Sequence, residues 1–435
     1  MSTSSYPAPG SQHRWKVLGV GVAANASFSV AFSGLPMTAV FMRSGYQLDN
    51  TSLGLVLGLM GLGIAISELP WGLLADRWGD RPVLLLGLGA TAAALAAMAL
   101  FAAPTPGHIP GLPLLAAGLL LVGLLGGSVN GASGRAIMSW FQSHERGLAM
   151  SIRQTAVPLG GGLGALLLPA LALHAGFAVI YGLLALLCAA TAALAWLWLH
   201  EPPPTAAPPA ATSMPTTQSA DGGPLRDPRV WRIVAGIGIL CAPQFAMLSF
   251  GTVFLHDFAH WGVAAITTAM VSVQVGAMGM RVWSGHWTDR HQNRRAYLRA
   301  CTVLSIALFG ALAALVAWAG MLPTVPAAMG IALVALLAAC GICVSAWHGV
   351  AYTELATLAG ARRAGTALGM ANTSVFAVCF VTPLGIPYLL AWQGWGVVWG
   401  VAGLCALVAL PLLTAAAPRV TNNQLTNTEL LRSTT

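Results

Sequence analysis

A chain of 435 residues that is 57% hydrophobic and only 7% charged does not have the make-up of a water-soluble domain, since an average soluble domain carries about 25% charged residues. Its formal charge of +8 does not gather into one basic patch with interleaved aromatics, which excludes a nucleic-acid partner. The basic residues fall instead in short loops between apolar runs, where they report orientation across a bilayer.

Residues 1–15 are Ser- and Pro-rich at their start and lack an apolar core, so disorder and no cleavable signal peptide are expected, with the first apolar run retained as a helix. A crossing helix needs about 20 apolar residues. On that criterion twelve spans are predicted, at about 17–40, 51–74, 83–102, 113–140, 148–170, 175–199, 229–254, 264–287, 298–321, 326–353, 366–391 and 394–417. Residues 201–228, rich in Pro, Ala, Ser and Thr, cannot build a packed core and read as an extended linker. They divide a bundle over 16–200 from a second over 229–417, and residues 418–435 read as a solvated tail.

Alternate loops group Arg14, Lys16, Arg77, Arg81, Arg146, Arg226, Arg290, Arg294, Arg295, Arg362, Arg363, Arg419 and Arg432 on one side and leave only Arg43 in a loop on the other. The asymmetry places both termini and the linker in the cytoplasm, with the protein in a plasma membrane or bacterial inner membrane. The seven cysteines all lie in apolar stretches, where they pack without any need for a disulfide. Cys340 and Cys343 form a CxxC that reads as packing rather than metal or redox chemistry.

Spans 3, 6, 9 and 12 have no charged residue in their apolar interiors. The others carry Asn25, Ser29, Asn130, Arg135, Arg153, Gln154, Gln244, Gln274, Arg281, His348, Glu354 and Asn372. A helix that is apolar all round faces lipid, so every third helix is peripheral and the other eight surround a wet interior.

The chain also repeats itself. The stretch Gly72 to Arg81 contains Gly72, Asp76, Arg77 and Arg81, and a shift of 213 gives Gly285, Asp289, Arg290 and Arg294. A second echo, at a shift of 218, carries Gly147, Ala149, Gln154 and Thr155 onto Gly365, Ala367, Asn372 and Thr373. Two aligned places mark an internal duplication.

These residues resemble the major facilitator superfamily over about Lys16 to Ala417. The most specific element is the pattern G-x-L-a-D-r-x-G-[RK]-[RK], matched by Gly72, Leu74, Asp76, Arg77, Gly79 and Arg81; Asp80 stands where a base is usual, and Gln292 where the second copy should have glycine. The resemblance implies an all-α membrane protein with two pseudo-symmetric six-helix halves, working by alternating access. It also implies a cytoplasmic gate built from Gly72, Asp76, Arg77, Gly79, Arg81, Arg135, Glu145, Arg146, Gly285, Asp289, Arg290 and Arg294. Asp76 would complement the positive end of the helix that starts near Gly365 and pair with Arg146. Arg135 would pair with Glu145 or Glu354. The plainer alternative is that Asp76 and Arg77 solvate a short turn.

Arg281 precedes Asp289 by eight residues. With Asp289 at the surface, that puts its backbone about 12 Å into a core about 30 Å thick. A cation there is retained for a site, a pair or a path. Its position resembles the carboxylate-binding arginine of monocarboxylate and oxalate/formate porters, though Ala277 replaces the Asp of the animal monocarboxylate porters. Snorkelling or internal pairing is the alternative. Its repeat mate Glu68 either carries a coupling proton or balances an arginine. Arg153, about 10 Å deeper than Arg146 and next to Gln154, is the second anion contact. Asn25, Gln244, Trp347, His348, Tyr352 and Asn372 complete the predicted substrate-binding set.

Gly160, Gly161, Gly162 and Gly164 after Pro158 partly resemble the antiporter motif of drug-efflux members, with Val157 departing from it; close helix packing explains them equally well. No HExxH, G-x-S-x-G or GxxxxGK[ST] occurs, so neither enzyme chemistry nor nucleotide drive is expected, and no cofactor or metal is called for. The expected function is secondary transport of a small organic anion such as a monocarboxylate by a monomer, by symport or antiport. Proton-antiport efflux is the alternative within transport, and a non-transporting sensor or scaffold the alternative outside it.

Overall fold

The computed structural model describes residues 12–141, 146–200, 224–360 and 364–414, with the side chains of residues 76, 146–148, 151, 364 and 365 outside that description. The expected linker, most of the N-terminal segment and the C-terminal tail therefore lie outside the described residues, as does Glu145. Among the described residues, twelve helices are long and apolar enough to cross a membrane. Spans 1 to 6 are His13–Gly45, Asn50–Ala75, Asp80–Phe101, Leu112–Trp140, Ile152–His174 and Gly176–Trp198. Spans 7 to 12 are Pro228–Asp257, Val263–His291, Arg294–Ala319, Ala327–Ala359, Thr366–Gln393 and Trp395–Thr414.

Four spans are interrupted, span 5 among them at Thr155, between Arg146–Gln154 and Ala156–His174. Pro36 has no N–H to give an α-helix, and span 1 tightens there into a 3-10 turn, Leu35–Thr38. Span 4 breaks at Gly127 between Leu112–Gly126 and Ser128–Trp140, and span 10 breaks at Ala346 and Trp347 between Ala327–Ser345 and His348–Ala359. The breaks in spans 4 and 10 occupy corresponding places in the two halves, and each leaves main-chain carbonyls without helical partners.

Packing repeats in the same order. Span 1 lies on spans 4, 5 and 6 as span 7 lies on spans 10, 11 and 12; span 2 meets span 4 as span 8 meets span 10, and span 3 meets span 6 as span 9 meets span 12. The halves meet where span 2 lies along span 11 and span 5 along span 8, with the end of span 1 against span 7. Spans 3, 6, 9 and 12 pack within their own halves, as their apolar interiors predict. Lipid tails are as apolar as these side chains, so cohesion here comes from close fit. A Cβ on Gly58 would stand 2.7 Å from the Phe380 carbonyl oxygen, and one on Gly161 would stand 3.0 Å from Cδ of Gln274.

The Gly161 approach lies near mid-depth, and the Gly58 approach between mid-depth and the face opposite the one where the chain enters span 1. That entry side is called here the terminal face. On the opposite face, Arg43 at the end of span 1 makes a two-pronged ion pair with Asp257 at the end of span 7, at 2.5 and 2.7 Å. Asn50 accepts a further bond from Arg43 at 3.1 Å, and His256 Nδ1 lies 2.7 Å from Asp257.

The stretch expected to be a loop after span 2 is largely helical. The helix runs Asn50–Trp78 and turns only at Gly79, whose φ of +87° suits glycine. The second copy ends its helix at His291 and turns at Gln292, which takes a left-handed φ of +50° at the place of Gly79. All seven cysteines are free, and the Cys343 thiol sits 3.4 Å from Ser305 Oγ in packed surroundings.

Candidate functional site

The interrupted span 10 seats the mid-membrane cation. Arg281 on span 8 donates from Nε to the Ser345 carbonyl at 3.3 Å, at the C-terminal end of the helix Ala327–Ser345. Carbonyls at a helix end carry partial negative charge, so the break offsets part of the cost of burying a guanidinium. Arg281 thus points to its own bundle interior rather than snorkelling. Its terminal nitrogens have no protein partner among the described residues. The neighbouring Ser284 and Tyr297 hydroxyls spend themselves on the Ala346 carbonyl, at 3.4 and 3.3 Å. In the first half the counterpart break is packed differently: Gly127 lies against Ser67 and the Glu68 backbone, and the Trp71 indole donates to the Leu124 carbonyl at 2.7 Å.

Glu68 sits where the halves touch. The Asn372 amide on span 11 donates to its Oε1 at 3.1 Å, and the Tyr352 hydroxyl on span 10 donates to the same amide's oxygen at 2.9 Å. Its other oxygen, Oε2, is buried without a partner among the described residues. Tyr352 lies within electrostatic reach of both Glu68 and Arg281, and Glu68 within reach of Arg153. Three of the expected residues, Tyr352, Asn372 and Glu68, are therefore bonded across the halves, with Arg281 in the electrostatic surroundings of Tyr352.

Arg153 is placed differently. It is 5% exposed and donates to Ser133 Oγ at 3.1 Å, to Asn25 Oδ1 at 3.4 Å and to the Asn130 carbonyl at 2.7 Å. Asn25 in turn donates to Gly21 O and Ser133 Oγ, both at 2.9 Å. This cation ties spans 1, 4 and 5 together, and Asn25 is one of its partners. Gln154 is half-buried beside it. Trp347 is fully buried, with its indole stacked on the His348 ring at 3.9 Å between centroids; Gln244 Oε1, Trp347 Nε1 and His348 Nδ1 are buried without hydrogen-bond partners among the described residues.

The gate residues make ties within halves. Arg135 pairs with Asp80 at 2.6 Å and also donates to the Ala75 carbonyl, while of its two expected partners Glu354 is turned to Arg295 and Glu145 lies outside the described residues. Asp80, the departure from the family pattern, supplies the nearer carboxylate, and Glu354 is bonded to Arg295 at 2.8 Å. Arg81 donates to the Trp196 carbonyl at 2.9 Å and stacks on that indole at 4.9 Å. Asp289 pairs with Arg294 at 3.1 Å, and Arg294 also reaches Thr357. Arg77 and Arg290 are exposed, while a Cβ on Gly72 or Gly285 would meet open space. The side chains of Asp76 and Arg146 lie outside the described residues, so the expected pair between them does too.

Twelve spans among the described residues, packed as two bundles in the same order and joined at mid-depth by the Asn372 to Glu68 bond, are the architecture of a polytopic membrane protein built for transport between its halves. The chain belongs to the Major Facilitator Superfamily, whose family model matches residues 21–331. It is similar to an uncharacterised MFS-type transporter of Mycobacterium tuberculosis, at 29% identity over 405 residues, 92% of this chain and 84% of the relative. A probable anion transporter of Arabidopsis thaliana is 31% identical over 171 residues, 38% of this chain and 37% of that protein. Among solved structures, a bacterial homolog of the human lysosomal transporter Spinster, inward-facing and unoccupied, superposes with a TM-score of 0.67 at 15% identity, covering 94% of each chain.

Proposed function

We propose that this transporter carries a small organic anion by alternating access, holding its carboxylate on Arg281 and drawing its drive from a proton at Glu68. The observation that carries the reading is the Arg281 fork, anchored through Nε and unpartnered at its terminal nitrogens, in a centre shared by the two halves. A planar pair of N–H donors fits a carboxylate, and an exposed edge at mid-depth is where a cargo ion meets it. The likeness to a probable anion transporter agrees with this chemistry. A monocarboxylate is the cargo that the Arg281 position favours.

Arg153 supports the site from behind rather than gripping cargo, because its bonds are spent on Asn25, Ser133 and Asn130. Gln244 and His348, with unpartnered buried atoms, supply further polar contacts to the cargo. The terminal face is the cytoplasmic one on the arginine asymmetry, and the helix ends that turn at Gly79 and Gln292 latch it when the cleft opens the other way. The glycines that resemble an efflux motif are occupied in packing: Gly161 and Gly162 face Gln274, while Gly160 and Gly164 face span 1. The test is uptake of labelled lactate, oxalate and gluconate by proteoliposomes, with Arg281→Ala in parallel. Uptake of one of them that is lost in the variant supports the reading, and undiminished uptake in the variant rejects it.

A further inference from the structure

Three bonded groups run from the cargo site of one half to the acid of the other. Tyr352 and Asn372 stand on spans 10 and 11, while Glu68 stands on span 2, so the Asn372 to Glu68 bond crosses the boundary at which the halves must move. The Tyr352 hydroxyl has a single proton to donate, now given to the Asn372 amide oxygen. The same hydroxyl lies within electrostatic reach of Arg281. The charged and titratable groups around Glu68 are Arg153 on span 5 and Tyr352 on span 10, with Arg281 and His348 beyond Tyr352.

We propose that Tyr352 and Asn372 form a positioning relay that couples anion occupancy at Arg281 to protonation of Glu68 across the two halves, in the sense that makes the protein a proton symporter. The proposal rests on the reading of Arg281 and Glu68 given above. When a carboxylate docks on Arg281, the Tyr352 hydroxyl turns from the neutral amide oxygen to the charged acceptor, which makes the stronger bond. Asn372 then loses the contact that fixes its plane, and its donation to Glu68 Oε1 loosens. A carboxylate that loses a donor favours its protonated form. The anion also cancels the positive field of Arg281, which acts in the same direction. Oε2 has no protein partner and is the oxygen that accepts the proton. Binding of anion and of proton each favour the other, as linkage requires.

The test uses the purified full chain in proteoliposomes, with lactate, oxalate and gluconate as probes. The readout is the ratio of accumulation driven by an inward proton gradient to counterflow against the same preloaded acid. Asn372→Leu and Tyr352→Phe are each expected to lower that ratio by about tenfold or more, a coupling loss of ordinary size, and to flatten the pH dependence of the apparent KM. Tyr352→Phe removes one hydroxyl and carries the test if Asn372→Leu fails to fold. A wild-type ratio and pH profile in the folded variants overturn the relay. Arg281→Ala and Glu68→Gln separate the two levels: full accumulation in either, or no carriage of any probe by the wild type, brings down the underlying reading. Loss in both, with wild-type ratios and pH profiles in Asn372→Leu and Tyr352→Phe, brings down the relay alone.

Discussion

Arg43→Ala is expected to loosen the closure of the opposite face. The pair it removes is two-pronged, at 2.5 and 2.7 Å, and the side chains of Arg43 and Asp257 are 23% and 31% exposed. Exposed pairs contribute about 0.2–1 kcal/mol and breaking buried ones costs about 3–5 kcal/mol. With solvent screening at this partial exposure, about 1.5–2 kcal/mol of bias towards the closed face is at stake, which shifts the two-state population by about 10- to 30-fold. The assay is thiol labelling of Thr267→Cys, which lines a 60 Å³ cavity just beneath the pair together with Phe41, His256 and Ile266. Labelling from the opposite face should rise in Arg43→Ala and fall back in the charge-exchanged double variant Arg43→Asp with Asp257→Arg. Equal labelling with and without Arg43, or no recovery in the exchanged pair, would refute the latch.

Other expectations follow from single contacts. Gln292→Gly should stabilise the protein by about 0.5–1 kcal/mol, read as a higher Tm in detergent, because the left-handed turn there costs a Cβ-bearing residue more than glycine. Gly161→Val should drive span 5 from span 8 and cut transport by about tenfold or more, whereas Gly182→Val, with open space around it, should transport normally. The Asp227 carboxyl is held below its ordinary value by the hydrogen bond from the Arg229 side chain. Its contribution is therefore present above the unfolded value and lost as the pH falls through the folded one. Asp227→Asn should lower the Tm at neutral pH, with the difference beginning to shrink only as the pH falls below about 4 and vanishing below the depressed folded value.

The span count and the duplication were legible because a crossing helix declares itself by length and composition, and a repeat by its spacing. The break in span 4 also has a local cause in Gly126 and Gly127, but span 10 breaks at Ser345, Ala346 and Trp347 with neither Gly nor Pro to announce it. That hidden break is what seats Arg281. The depth of Arg281 could be read from eight residues of helix, whereas the satisfaction of Arg153 could not, since Asn25 and Ser133 come from other spans. The Arg135 to Asp80 pair was not legible because the family pattern expects a base at position 80 and so hides the carboxylate there. The Arg43 to Asp257 pair joins residues 214 apart and leaves no periodic trace. Its one signal was Arg43 standing alone on its side of the membrane.

The central claim is that the Arg281 fork holds the cargo carboxylate. The most direct test is equilibrium binding, to purified wild type, Arg281→Lys and Arg281→Ala, of whichever acid the uptake panel shows to be carried. Two charge-assisted bonds at about 1.5–3 kcal/mol each predict a Kd raised by about 100-fold or more in Arg281→Ala, with Arg281→Lys in between because it keeps the charge and loses the fork. A Kd within about threefold of wild type in Arg281→Ala, well under the 1.4 kcal/mol that a tenfold change represents, would contradict the account.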